Sequence, residues 1–397
     1  MRKFYTYFIA FIIALLTFSC TNDLAEMPAE DLPLADSKDC IIGISPQIEP
    51  EEEGLTRSSL TFSPTLRAMT FAWDATDALG VFPINATNIS TAQQKFSINA
   101  NDINGLSAKF SNADTDVNSI TSGQRYVAYS PFTAVDEDKN VIHVTYRNQI
   151  QKESVNMDAY YKRSQSDEQM QAYLASEKEA SAHLGKYDYM VSAATAPEHG
   201  NMSFQFTRLG SIVRFYLRIP AEGFYDSIQV INKDANFIID ADLDIKNSDA
   251  AKAFVNPVTS HIVSLAFRKD VTDESGNVTG QNGFDLYDTD NNPYYGKPSS
   301  GRRGYIIAYM MFAPINLNTA NIGKSTLYLL GHDKNGNKTY FRAKDKLTKI
   351  NIAQNKTQQW APATLELDEP IDFVPVEVEI WKNDTNFDND GTGTDDW

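Results

Sequence analysis

TLYLLGHDKNGNKTYF, residues 326 to 341, decides the fold class. Thr326 to Leu330 and Thr339 to Phe341 are short runs of β-branched, aromatic and aliphatic residues. Asn335-Gly336 lies between them and is the strongest short-range hairpin signal, because tight hairpin turns need positive φ. Outward from this hairpin the pattern repeats. Tyr305 to Phe312 is an apolar run suited to a central strand. Phe204 and Phe206, then Ile212 to Ile219, form two strands around Leu209-Gly210, and Ile228 to Ile231 follows. Tyr126 to Tyr129, Val141 to Tyr146, and Trp73 to Ile84 with Leu79-Gly80-Val81-Phe82 at its centre extend the series toward the N-terminus. The 22 Phe and 19 Tyr suit pleated, half-buried surfaces, so the body reads as mainly β.

One segment differs. Ser164 to Leu184 is rich in Glu, Gln, Ala and Met, and Met170, Tyr173, Leu174 and Ala180 fall near helical spacing. This predicts a helix against a sheet or in a crossover. Thr195-Ala196-Pro197-Glu198-His199-Gly200 marks a boundary between two halves of similar length. Asp270 to Gly301 is polar and reads as a long surface loop, and Asn383 to Trp397 is too polar to pack.

The N-terminus reads as an export signal. Arg2 and Lys3 precede the apolar stretch Phe4 to Leu16, which is too short to span a bilayer comfortably. Ser19-Cys20 follows, so residues 1–20 fit a lipoprotein signal with Cys20 as the lipidated first residue of the mature chain. Thr17 stands where Leu is commonest, and an ordinary secretory signal with an incidental Cys is the alternative. Residues 21–39 are acidic and aperiodic, as a tether would be. With Cys20 lipidated, Cys40 alone remains and no internal disulfide forms. A net charge of −17 argues against nucleic acid as a partner.

Signatures of chemistry are missing. The five His residues, 143, 183, 199, 261 and 332, are scattered singly, with no metal-ligand spacing. There is no phosphate loop and no nucleophile elbow, so neither catalysis nor a cofactor is expected. Asp288, Asp290 and Asn292 start like a calcium loop, but Pro293 stands at the turn position and no Glu closes it. Asn386, Asp388 and Asp390 lack the same Glu, so both stretches read as solvated acidic segments.

Two alternating strands near the ends carry more. Ile42, Ile44 and Ile48 share one parity in an early strand. Val374, Val376, Val378 and Ile380 share one parity in a late strand ending at Trp381, with Glu377 and Glu379 on the other. Between the early strand and the body lies Glu51 to Ser59, polar and open to a protease, with Arg57 inside it. From period alone both strands simply pair within their own domains. Cleavage at Arg57 would instead let the early strand leave a groove that a Val/Ile strand of another subunit fills.

The order of these pieces resembles the fimbrillin-like family of the Bacteroidales, subunits of donor-strand pili. Thr56-Arg57, Trp73-Asp74 running to Asp77-Ala78-Leu79-Gly80-Val81-Phe82, Tyr126-Val127-Ala128-Tyr129-Ser130-Pro131, Phe204-Gln205-Phe206, Asn355-Lys356-Thr357 and Val376 to Trp381 are similar to its short motifs. Thr76 and Leu79 depart from them. The resemblance implies two tandem β-sandwich domains of transthyretin-like topology, 40–197 and 198–366, with residues 367–397 as strand and tail. It also implies export through the periplasm to the cell outer membrane and surface fimbria. A trypsin-like surface protease would cleave after Arg57, with Arg67 as competitor, and Val374, Val376, Val378 and Ile380 would be the donor strand. Partners would then be other fimbrial subunits and outer-membrane lipid through Cys20. A fimbrial tip adhesin and a surface glycan-binding lipoprotein are the other readings.

Cys20→Ser should leave the precursor uncleaved or lost from the outer membrane. Membrane partition and radioactive palmitate labelling check this, and retention of both by the variant would defeat the assignment.

Overall fold

The computed structural model describes residues 41–44, 61–63, 68–70, 73–104, 107–112, 120–121, 123–135, 141–197, 202–247, 249–296, 301–314, 325–344, 356–360 and 371–375. Seven strands close into a barrel: β1 (Ile41–Ile44), β4 (Ala78–Pro83), β5 (Gln94–Asn104), β6 (Ser107–Asn112), β7 (Tyr126–Ser130), β10 (Met190–Ser192) and β11 (Met202–Arg208). Their order is β1-β11-β10-β7-β4-β5-β6. A small hairpin pairs β2 (Thr61–Ser63) with β3 (Ala68–Thr70).

A four-stranded sheet runs β20-β21-β12-β24, from β12 (Ser211–Arg218), β20 (Tyr295–Gly296), β21 (Arg303–Phe312) and β24 (Lys356–Trp360). Facing it is a larger sheet, β25-β23-β22-β13-β16-β9, with β19 (Phe284–Asp285) beside β13. Its strands are β9 (Gln149–Gln151), β13 (Phe224–Ile231), β16 (Ile262–Phe267), β22 (Thr326–His332), β23 (Lys338–Ala343) and β25 (Phe373–Pro375). β8 (Ile142–Thr145), β14 (Phe237–Leu243) and β15 (Phe254–Ser260) make a third sheet, and β17 (Lys269–Thr272) pairs with β18 (Val278–Asn282).

The two facing sheets form a sandwich. Val213, Phe215 and Leu217 of β12 and Ile306, Ala308 and Met310 of β21 pack against Ile228, Val230, Leu265, Leu327 and Leu329. The opposite parity of the same two strands, Ile212, Tyr216, Ile307, Tyr309 and Met311, packs into a second core shared with Phe82, Tyr129, Tyr173 and Leu184. The four-stranded sheet is thus covered on both faces, which is why Tyr305 to Phe312 is apolar throughout instead of alternating.

The helix expected over 164–184 is α3 (Asp167–Ser181), capped by Ser166, whose side chain accepts from the Gln169 amide, and followed by a 3₁₀ turn (Ala182–Tyr187). Three shorter helices, α1 (Ile89–Ala92), α2 (Met157–Lys162) and α4 (Ala250–Ala253), accompany it. Inward-facing Glu177 of α3 accepts hydrogen bonds from Tyr173 Oη (2.6 Å) and the Tyr309 hydroxyl, with Arg214 Nη2 3.6 Å from its carboxylate. Burial pushes the Glu177 carboxyl above its ordinary range, and Arg214 opposes that shift.

Two expectations change. Asp270 to Gly301 is not one loop: it holds the β17–β18 hairpin, β19 and β20. The polar flanks hid the hairpin, yet its turn Asp273-Glu-Ser-Gly-Asn277 repeats the spacing of Asp333-Lys-Asn-Gly-Asn337. In both, the Asp Oδ1 accepts from two backbone amides of the turn and the Gly has φ near 80° (84° and 80°). The sheets also do not divide between 197 and 198. β11 lies beyond that point but belongs to the barrel, whereas β8 and β9 lie before it and pair with β14 and β16.

The free edge of β21 shows how the sandwich is sealed. β20 reaches only Arg303 and Gly304, so further along β21 that edge has no strand beside it among the described residues. Side chains take the place of one. Gln149 accepts from the Met311 amide (2.8 Å) and donates to the Met311 carbonyl (2.8 Å). Gln151 does the same at Tyr309 N (2.9 Å) and Ile307 O (2.8 Å), and Ser154 Oγ accepts from Ile307 N (2.9 Å). All three are buried. Gln151→Met should leave the Tyr309 amide unmet, while Ser154 Oγ still donates to Ile307 O (3.3 Å), and should cost about 1–3 kcal/mol, whereas Gln151→Glu at low pH keeps an acceptor and should recover part of it. Urea unfolding followed by tryptophan fluorescence checks both.

Candidate functional site

β1 is the strand that closes the barrel. It runs parallel to β11, with Ile41 beside Met202 and Gly43 beside Phe204, and antiparallel to β6, with Ile41 beside Phe110 and Gly43 beside Ala108. Met202, Phe204, Phe110 and Ala108 are buried in a core centred on Trp73, whose ring meets Phe110 edge-on at 5.0 Å and Phe206 at 5.8 Å. Ile42 and Ile44 stand instead beside exposed Ser203, Lys109 and Gln205. The sequence reading put Ile42 and Ile44 on the apolar parity, and the register puts Ile41 and Gly43 at the core positions. A one-residue difference reverses every position of a period-2 strand, and three isoleucines on both parities could not decide it.

The remaining strands do not depend on β1 for their order. β11-β10-β7-β4-β5-β6 stays continuous without it. β11 is also held at its far end: Arg208 makes a two-point ion pair with Asp188, through Nε to Oδ1 and Nη2 to Oδ2 (3.1 Å), with both side chains fully buried. Beyond the boundary of the barrel core, Leu209 N donates to Tyr189 O (2.8 Å). If β1 departs, β6 and β11 expose unpaired backbone groups along four residues each, beside an apolar floor.

The late segment begins at an edge. Ile371 is buried and bridges to Leu217 of β12, and Asp372 pairs with Arg218 at 2.9 Å. The chain then joins the other sheet as β25, with Phe373 beside Ala343, Val374 beside Arg342 and Pro375 beside Phe341. Phe373 packs against the sandwich core, and half-buried Val374 takes the opposite parity. Val374 therefore sits in an edge strand of its own domain. Cys20, Arg57, Arg67, Val376, Val378 and Ile380 lie outside the described residues. In sequence, Arg57 falls between β1 and β2, so a cut there removes the covalent link between β1 and the other described strands. The groove walls contributed by β6 were missed because SAKFSN offers only Ala108 and Phe110 as an apolar parity.

No family model matches the chain, and no curated protein matches it. Among solved structures it is similar to a candidate cell adhesion protein of Bacteroides ovatus, at 11% identity over 85% of this chain and 96% of that one, with a TM-score of 0.41. A candidate cell adhesion protein of Bacteroides uniformis follows at 15% identity, 81% and 96% coverage and a TM-score of 0.38. A fimbrial protein of Bacteroides ovatus shows 14% identity, with 82% of this chain and 49% of that chain covered and a TM-score of 0.28. Likenesses this distant leave the functional argument to the residues themselves.

A chain lacking residues 1–57 should stay folded, with amide exchange accelerating in 107–110 and 202–205 and not in β12 or β21. Hydrogen exchange read by mass spectrometry checks this. Global loss of protection would show that β1 is part of the indispensable fold.

Proposed function

We propose that this chain is a structural subunit of a cell-surface fimbria, assembled by strand exchange and serving adhesion. It is exported as a lipoprotein held to the outer membrane through Cys20, and a trypsin-like surface protease cuts after Arg57. β1 then leaves the barrel, β25 of another subunit detaches from its own β23, and Val374, Val376, Val378 and Ile380 of that subunit supply the replacement strand. The observation that carries this reading is the place of β1: a four-residue strand that closes the ring, encoded on the far side of Arg57 from every other strand among the described residues. No catalytic role is proposed. A stalk position suits the chain better than an anchor, because an anchor needs neither a cleavable strand nor a donor segment.

The energetics favour replacement over an open gap. An unpaired buried main-chain group costs about 1–3 kcal/mol, and the gap has two such edges plus apolar surface. An incoming period-2 strand restores both only in a register that puts its apolar parity on the floor.

The test uses purified protein cleaved after Arg57, with fibres followed by electron microscopy and native-gel ladders. Val376→Asp and Val378→Asp should abolish fibres, because each buries an unpaired carboxylate at every joint. Glu377→Lys should be nearly neutral, and all three monomers should unfold at the parent's midpoint. Undiminished polymerisation of the Asp variants, or of a chain ending at residue 373, would remove this segment as donor.

A further inference from the structure

The chain enters its C-terminal segment through a fixed crossing between the two sheets of the sandwich. β24 runs parallel to β12 as far as Trp360 beside Phe215, and Ile371 resumes the same edge beside Leu217. Ile371 is 1% exposed, its amide donates to Tyr216 O (2.7 Å), and its carbonyl accepts from the Arg218 amide (3.0 Å). The next residue is already bound to the other sheet. Asp372 O accepts from Lys344 N at 2.8 Å, and its carboxylate accepts from Arg218 Nη1 at 2.9 and 3.3 Å. Two consecutive residues are thus tied by main-chain bonds to opposite layers, and this sets the parity of the strand that follows.

That parity is unsuited to its own sandwich. Phe373 packs against the core beside buried Ala343, so Val374 stands on the outer face beside exposed Arg342. Pro375 returns to the inward parity beside buried Phe341. Continued in this register, the chain would set Val376 beside Tyr340, Glu377 beside Thr339 and Val378 beside Lys338. The valines would then face outward with Arg342, and Glu377 would take the inward parity of Phe341 and Ala343. A slip of one residue would reverse this, but Ile371 and Asp372 hold the register. The edge is also too short. β23 begins at Lys338, directly after the Asp333–Asn337 turn, whereas the alternating run continues to Ile380. Among the described residues, the sandwich has no place for the face formed by Val374, Val376, Val378 and Ile380.

An apolar face on an extended segment, with main-chain groups along both edges, fits a groove between two unpaired strands. This chain carries such a groove, because β6 and β11 flank Ala108, Phe110, Met202 and Phe204 once β1 is gone. We infer that Ile371 and Asp372 form a pivot that turns the apolar face of the C-terminal segment out of its own sandwich and presents it to a second copy of this chain. The inference deepens the strand-exchange reading and rests on it for the acceptor groove. The pivot keeps its bonds to both sheets while the strand beyond it changes partner.

Thiol labelling tests this directly. Cys20 and Cys40 both precede Arg57, so the chain cleaved there contains no cysteine. Val376→Cys, Glu377→Cys, Val378→Cys and Glu379→Cys would each be labelled with a maleimide in the cleaved chain. The same four would be made in an uncleaved chain of residues 21–397 carrying Cys40→Ser. In dilute cleaved chain all four should react within about threefold of a free peptide. Concentrating it should slow the Val376→Cys and Val378→Cys variants by about tenfold or more, while the two Glu variants stay fast. The uncleaved chain should show no slowing. Amide exchange at Arg218, Ile371 and Lys344 should be the same before and after association. Equal slowing of both forms would leave the pivot and the second copy standing and remove β1's groove as the acceptor. Four results would overturn the proposal. Slow labelling of the Val variants in dilute chain would put the segment on its own β23. Slowing by vesicles of phosphatidylethanolamine and phosphatidylglycerol, and not by a second copy, would make a lipid surface the partner. No slowing at any concentration would leave the face without the partner named, and faster exchange at Arg218, Ile371 and Lys344 on association would show that no pivot exists.

Discussion

Two glutamines and a serine hold the strand on which both larger cores rest. β21 is covered on both faces, so any bare main-chain group along its edge would sit away from water. Gln149, Gln151 and Ser154 meet those groups with side chains instead of a neighbouring backbone. This leaves the backbone of β9 free to pair with β16 in the opposite sheet. A three-residue strand therefore ties the two layers of the sandwich at one side, by its main chain to one sheet and by its side chains to the other. The same dryness explains Glu177 and Arg214: a charge on a sheet sealed on both faces persists only with an opposite charge and hydroxyl donors around it.

Much of this architecture is written in local pattern. Tyr305 to Phe312 announces a doubly covered strand by having no polar parity, and Asn335-Gly336 announces its hairpin through the φ it can adopt. Ser166 and the spacing of Tyr173 and Ala180 announce the helix. What stays hidden depends on partners distant in sequence. Gln149 and Gln151 look like surface residues until β21 is placed 162 and 158 positions away. Asp226 looks like an interruption in an apolar strand, and only the register of β22 shows a bulge. β11 sits beyond a Pro- and Gly-containing break that resembles a linker, but its Phe204 and Phe206 complete the core around Trp73.

The mixed neighbours of β1 bear on polarity. With β11 parallel on one side and β6 antiparallel on the other, a substitute strand running either way acquires one neighbour of each kind. Hydrogen bonding at the gap is then nearly indifferent to direction. What remains to orient the newcomer is where its linker can enter. The head-to-tail sense of a filament built this way would be decided by the route of a connecting segment, and only weakly by the sheet that the filament extends.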